Sequence, residues 1–288
     1  MSKIKIVTDS GSDIARKHED LYDIDVLPFK IAIGDESYLS RVDFDNAEFF
    51  EMMENADEIP KTSQITAFEF GELFGDYFEQ GYTDIIYVSL NSNGSATYYN
   101  SVQAKEQFFE DNPDAVGIFN IYCIDSKTYS AGYGFPVVES AKMAHKGVSA
   151  EKIVEYLEDW FEHCVIYFGI YSLKYAKKSG RIPAAAAFVG ELIGLRPILR
   201  IDSGEIILEN KVRGDNAVIP EISEKCAENI EKNSPYCVIC GEDSELRDQL
   251  AALLSEVLGY PPSDAYQIGA AVAINAGPEA IGVVFRSK

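Results

Sequence analysis

Three short apolar runs in the first half of the chain each stop at a polar turn, and helix-forming segments lie between them. Ile4-Lys5-Ile6-Val7 ends at Thr8-Asp9-Ser10-Gly11-Ser12-Asp13, Asp84 to Leu90 ends at Asn91-Ser92-Asn93-Gly94-Ser95, and Ile121-Tyr122-Cys123-Ile124 ends at Asp125-Ser126-Lys127. The helical segments are Asp45 to Ala56, with Asp45 and Glu48 at capping-box spacing, then Ala67 to Gln80, Thr97 to Glu110 and Gly132 to Lys146. Strands that alternate with helices imply an α/β fold built on a parallel sheet with helices on its faces. Ligands of such sheets bind beyond the carboxyl ends of the strands. The three polar turns are therefore expected to share one edge and to form a site there.

A second region begins at Ser149-Ala150-Glu151, where a helix running to Glu162 links the halves. The expected division is an N-terminal α/β domain over 1–150 and a C-terminal α/β domain over 151–288. The second region has a strand from Cys164 to Tyr171, a loop with Lys177-Lys178-Ser179-Gly180-Arg181, and a small-residue run from Ala184 to Ala187. Pro197 to Asp202 and Glu205 to Val212 flank Asp202-Ser203-Gly204, which predicts a hairpin and antiparallel pairing. Tyr236 to Cys240, a helix after Asp243, an apolar run from Ala265 to Ile274 and a last run from Ile281 to Phe285 follow.

Charge excludes some partners. Lys+Arg 25 against Asp+Glu 47 gives a net −22, which repels nucleic acid and anionic lipid as a whole. No stretch approaches the ~20 apolar residues of a membrane span, and the N-terminal apolar run reaches Asp9 too soon for a signal peptide. A cytoplasmic protein without stable membrane insertion is expected. The five cysteines, Cys123, Cys164, Cys226, Cys237 and Cys240, are odd in number and scattered. Cys237-Val-Ile-Cys240 lies inside a strand-like run, away from a helix start or second ligand pair, so buried thiols are expected rather than a redox or zinc site.

The turn Ser89 to Ser101 carries the most chemistry. Ser92, Ser95 and Thr97 supply hydroxyls, Gly94 and Ala96 allow close approach, and a helix N-terminus adds free N–H groups. No lysine stands in that turn, no G-x-x-x-x-G-K-[ST] occurs, and no G-x-G-x-x-G follows a strand, which argues against a nucleotide. A neutral donor cluster suits a carboxylate. Pro60-Lys61-Thr62-Ser63-Gln64, ahead of the helix at Ala67, is a second hydroxyl cluster, readable as an anion contact or as an N-cap. A serine hydrolase is disfavoured: His18, His145 and His163 fall in or near helices, and G-x-S-x-G is missing. Asp9 and Asp13 could bind Mg²⁺ or act as a nucleophile, or simply cap and turn the chain.

Seven motifs in order make the chain resemble the DegV family over essentially its whole length. They are Ile6-Val7-Thr8-Asp9-Ser10-Gly11-Ser12-Asp13, Lys61-Thr62-Ser63-Gln64, Ser95-Ala96-Thr97-Tyr98 where S-G-T-Y is usual, and Asp125-Ser126-Lys127. Lys178-Ser179-Gly180-Arg181-Ile182 follows, then Leu195-Arg196-Pro197-Ile198-Leu199 with Asp202-Ser203-Gly204 and Lys211-Val212-Arg213, and Asn275-Ala276-Gly277-Pro278-Glu279 where H-x-G-P-G is usual. The resemblance implies two α/β domains that bury a long-chain fatty acid at their junction. It implies a binding subunit of a bacterial fatty acid kinase, which is not itself an enzyme, needs no cofactor or metal, and carries its ligand through the cytosol. The carboxylate-holding threonine and serine fall on Thr62 and Ser95, with Ser63, Ala96, Asn275 and Gly277 beside them. Arg181 and Arg213 are the candidate contacts for the kinase or the acyl-phosphate, or else ordinary ion pairs. Ala184 to Ala187, Phe188, Val189, Leu192 and Ile193 are candidate tunnel walls, or else tight helix packing.

The chain departs from the family pattern at Asn275 for histidine, Glu279 for glycine, Ala96 for glycine and Pro183 for serine. Asparagine only forms neutral hydrogen bonds, whereas histidine can become cationic. Carboxylate binding by Thr62 and Ser95 survives these changes; hand-over to a kinase is what they touch, and a member that only binds or stores its ligand is the alternative. Two rival readings stand beside fatty acid binding: another amphipathic carboxylate or phospholipid-derived acid, and a Mg²⁺-dependent phosphoesterase using Asp9, Asp13 and Asp125.

Overall fold

The computed structural model describes residues 3–182 and 194–288. Pro183 and the proposed wall residues from Ala184 to Ile193 lie outside the described residues.

Strands β1 (Ile4–Asp9), β2 (Ile24–Leu27), β6 (Asp84–Ser89) and β7 (Asn120–Asp125) form a four-stranded sheet in the order β2-β1-β6-β7. Every neighbouring pair is parallel. All of β6 is buried, as an apolar strand covered on both faces must be. The registers Thr8↔Val88 and Ser89↔Asp125 bring the ends of β1, β6 and β7 level. The three polar turns do share one edge.

A six-stranded sheet, order β10-β9-β8-β13-β11-β12, holds the second half. Its members are β8 (Cys164–Gly169), β9 (Leu195–Asp202), β10 (Glu205–Arg213), β11 (Tyr236–Cys240), β12 (Asp264–Gln267) and β13 (Ile281–Arg286). All pairs are antiparallel except β11 with β12. The expected hairpin is β9–β10. Ser203 at φ 50 and Gly204 at φ 88 make the two-residue turn with both central residues left-handed, whose twist matches a hairpin. Helix α6 (Ala150–His163) leads into β8 and buries Ile153, Leu157 and Trp160. One continuous core includes Val7, Tyr133, Trp160 and Phe168, and so spans both sheets.

Two stretches differ from the sequence expectation. A small antiparallel sheet, order β4-β3-β5, forms from β3 (Lys30–Ile33), β4 (Glu36–Leu39) and β5 (Lys61–Ser63). Thr62 and Ser63 therefore lie on a strand, with Thr62 opposite Ile31, and not at a helix start. The cap of α3 (Ala67–Glu79) is Thr66, whose hydroxyl and Glu69 form a reciprocal capping box. The run 265–274 is also not one element. It breaks at Gly269, whose N–H donates to Asp13 Oδ1 at 2.8 Å, and continues as the helix Ala270–Ala276.

The C-x-x-C pair sits on β11, where a spacing of three residues sends the side chains to opposite faces. Both thiols are free and buried, and burial pushes Cys240 up to about 11.

Candidate functional site

The turn after β6, Ser89 to Ser101, divides its polar groups among three tasks. Its asparagines face the hairpin: Asn91 Nδ2 donates to Gly204 O at 2.8 Å, and Asn93 Nδ2 donates to the same oxygen at 3.2 Å. Ser92 faces Asp125, giving it both its N–H at 3.0 Å and its hydroxyl at 2.5 Å. Ser95 alone keeps company with the helix that follows, α4 (Thr97–Asp111), its Oγ 2.9 Å from Thr97 Oγ1. Ala96 precedes that helix at φ −75, an ordinary conformation, so the missing glycine costs no backbone strain.

The start of α4 also gathers the second motif. Ile65 N–H donates to Thr97 Oγ1 at 3.3 Å, and Asn100 Nδ2 donates to Ile65 O at 2.7 Å. These two bonds tie the end of β5, and with it Thr62 and Ser63, to the turn that carries Ser95.

Both motifs line one cavity of about 410 Å³, which lies between the parallel sheet's polar edge and one face of the six-stranded sheet. Its floor includes Ile166, Ile201 and Ile206, which stand in cross-strand register on β8, β9 and β10. Phe168 and Ile239 extend the floor on the same face, and Ala271, Val272 and Ala276 form a helical wall. Thr62, Ser63 and Ala96 are exposed at the rim, whereas Ile166 and Ile239 are buried, so polarity falls with depth. In a chain with 47 acidic residues, no Asp or Glu is among the described residues lining the cavity, and Arg181 is the one Lys or Arg among them. That distribution favours an anionic head and an apolar tail.

The expected site residues divide accordingly. Thr62, Ser63, Ser95, Ala96, Asn275 and Arg181 line the cavity. Gly277 and Arg213 are not among its described lining residues. Gly277 sits at φ 89 after the helix Ala270–Ala276, where a Cβ would come within 3.0 Å of the Tyr175 ring. Its part is to turn the chain. Arg213 is exposed at the end of β10. Glu279 is exposed too, so its charge lies away from the cavity. Sequence reasoning passed over Tyr99 and Tyr129, which also line it. An aromatic in a polar strand-end turn was the available signal for Tyr129.

The three carboxylates of the phosphoesterase reading are engaged within the fold. Asp9 is fully buried and accepts from Tyr133 Oη at 2.6 Å, Gly11 N–H at 3.0 Å, Leu90 N–H at 3.0 Å and Tyr87 Oη at 3.2 Å. Asp13 accepts from Gly269, and Asp125 holds Ser92 and Lys127 N–H. None of the three lines the cavity, and no cluster of three metal-ligating side chains occurs among the described residues. Burial raises Asp9 to about 6 against its donors, and raises Asp13 to about 7 against Gly269 and Arg41. Each acid thus holds its proton to higher pH in the folded state than in the unfolded chain, where the ordinary value is 3.8. Through that window the folded state binds more protons, so stability should fall as pH rises from about 4 to about 7. Urea midpoints should be lower at neutral pH than at mildly acid pH, and Asp13→Asn should flatten part of the slope. A midpoint that climbs towards neutrality would contradict this assignment.

A three-sheet α/β fold, with an apolar cavity floor under a donor-rich rim without acidic residues among the described lining, defines the class. Residues 3–288 match the DegV family, and the chain belongs to it. A DegV domain-containing protein of Caldanaerobacter subterraneus subsp. tengcongensis is 31% identical over 295 residues, covering 100% of both chains. A crystal structure of a stearic acid-binding protein from Eubacterium ventriosum is 26% identical, with TM-score 0.87 over 99% of this chain and 98% of that one. A DegV lipid binding protein from Thermotoga maritima is also 26% identical, with TM-score 0.82 over the same shares.

Proposed function

We propose that this protein binds a long-chain fatty acid, without catalysis of its own, and carries it in the cytoplasm. The observation that carries the proposal is the graded cavity, hydroxyl-rimmed and free of acidic lining among the described residues. Thr62, Ser63 and Ser95 meet the carboxylate with hydroxyls, the start of α4 adds N–H groups, and Arg181 adds charge. Asn275 contributes a neutral amide. The tail runs over Ile166, Ile201 and Ile206. Each buried methylene is worth ~0.8 kcal/mol, so a long tail supplies roughly 10 kcal/mol gross, part of which ordering and lost rigid-body freedom offset. The fatty acid-binding relatives support the reading. Presentation to a fatty acid kinase, with Arg181 and Arg213 as contacts, and a domain boundary near residue 150, belong to the same proposal.

The test is mass spectrometry of an organic extract of the purified protein, beside its intact native mass. A stoichiometric long-chain fatty acid is expected. A protein that is empty and also takes up no added fatty acid would overturn the reading, and uptake of a different amphipathic acid would redirect it. Ser95→Ala should weaken fatty acid binding by about 1–3 kcal/mol, the cost of leaving a buried carboxylate short of one donor. Titration with a fluorescent fatty acid would measure the change.

A further inference from the structure

We infer that Tyr129 is a headgroup ligand of this site, its phenol donating to the carboxylate where Asn275 gives less than a histidine would. The inference rests on the fatty acid reading above. Asn275 lines the cavity, but one of its amide protons is already spent, since Nδ2 donates to Ala271 O at 2.8 Å within its own helix. That bond also fixes the amide, because a flipped Asn275 would face Ala271 O with its own oxygen. What remains for a ligand is a single neutral N–H.

Tyr129 is placed to add a donor. It lines the cavity, and a Cβ built on Gly94, the neighbour of Ser95, would fall 2.6 Å from its hydroxyl. The hydroxyl is therefore beside the turn that presents Ser95. It accepts from Asn91 Nδ2 at 3.1 Å, and its own proton has no acceptor among the described residues. A phenol oxygen whose lone pair is taken by an amide donor turns its proton elsewhere, and Tyr129 lines the cavity. Burial, with Asp125 and Glu205 nearby, raises Tyr129 above its ordinary value, so the proton stays on at neutral pH. Arg181 is close enough to act on the same hydroxyl electrostatically, which puts the cation and the phenol at one end of the cavity. A carboxylate there accepts from Ser95 and Tyr129 together.

The bland alternative is that Tyr129 only steadies Asn91, which in turn holds the hairpin tip at Gly204. The two roles separate by headgroup. Tyr129→Phe keeps the ring and removes the proton. It should weaken binding of a long-chain fatty acid about 5- to 30-fold, the loss of one hydrogen bond to a charged group. Binding of the methyl ester of the same chain should change far less. A fatty acid labelled at its carboxyl carbon should also show a shifted carboxyl resonance in the variant. Equal losses for acid and ester, or an unmoved carboxyl resonance, would overturn the inference and leave Tyr129 a structural residue. If the unaltered protein binds neither molecule, the fatty acid reading itself falls, and this inference with it.

Discussion

Asp9→Ala should cost about 3–5 kcal/mol of stability, because it strands four buried donors at once. Tyr133 Oη and Gly11 N–H lose Oδ1, while Tyr87 Oη and Leu90 N–H lose Oδ2. Gly11 lies in β1's turn, Tyr87 on β6, Leu90 just after β6 and Tyr133 on α5 (Ala131–His145), so one carboxylate joins three parts of the chain at the sheet edge. Asparagine is no rescue, since its NH₂ would confront a pair of donors. Urea unfolding of the variant is the measurement, and a loss below about 1 kcal/mol would mean that water or rearrangement serves those donors equally well. The result also changes what an Asp9 substitution can say about catalysis. With Asp9 under the edge that forms the cavity rim, lost activity would first report lost structure.

Ala276→Phe should cut fatty acid affinity about a hundredfold. Ala276 lines the cavity from the helix Ala270–Ala276, and a ring there takes the space of about four methylenes, worth ~3 kcal/mol of tail burial. The variant should favour shorter acyl chains, which need less of the floor formed by Ile166, Ile201 and Ile206. Competition between chain lengths for a fluorescent fatty acid gives both numbers. Undiminished affinity for long chains would place the tail elsewhere.

Three of the parallel sheet's four strands, β1, β6 and β7, were legible as apolar runs that end in abrupt polar turns; β2, four residues long and mostly half-buried, was not. The hairpin was legible because Ser203-Gly204 is a turn pair between two alternating runs. The small sheet was missed, although Gly34 at φ 59 and Asp35 between β3 and β4 are a turn signal of the same sort. Its strands are only three or four residues long and largely exposed or half-buried, so their pattern is faint. Lys61-Thr62-Ser63-Gln64 was open to reading as a helix cap because Thr and Ser favour both caps and strand edges; Thr66 and Glu69, three residues apart, were the better cap. The site was half visible. Hydroxyl clusters pointed to Thr62 and Ser95, both of which line the cavity. Tyr129 was hidden because its partner, Asn91, lies 38 residues away and pairing at that distance leaves no local trace. Seeing that Asn91 and Asn93 would turn to Gly204 likewise needed the second sheet in place.

The cavity has a thermodynamic meaning for the protein as well as for its guest. Voids left by truncated core side chains cost roughly 24 cal/mol per Å³. That rate holds for closed, dry voids, whereas the cavity of about 410 Å³ opens at a rim where Thr62, Ser63 and Ala96 are exposed, so only its buried floor carries part of such a cost. If a fatty acid binds as proposed, it would complete a core that the described side chains leave open. The unloaded form would then be the less stable one, and the share of molecules that stay folded would rise with the supply of ligand.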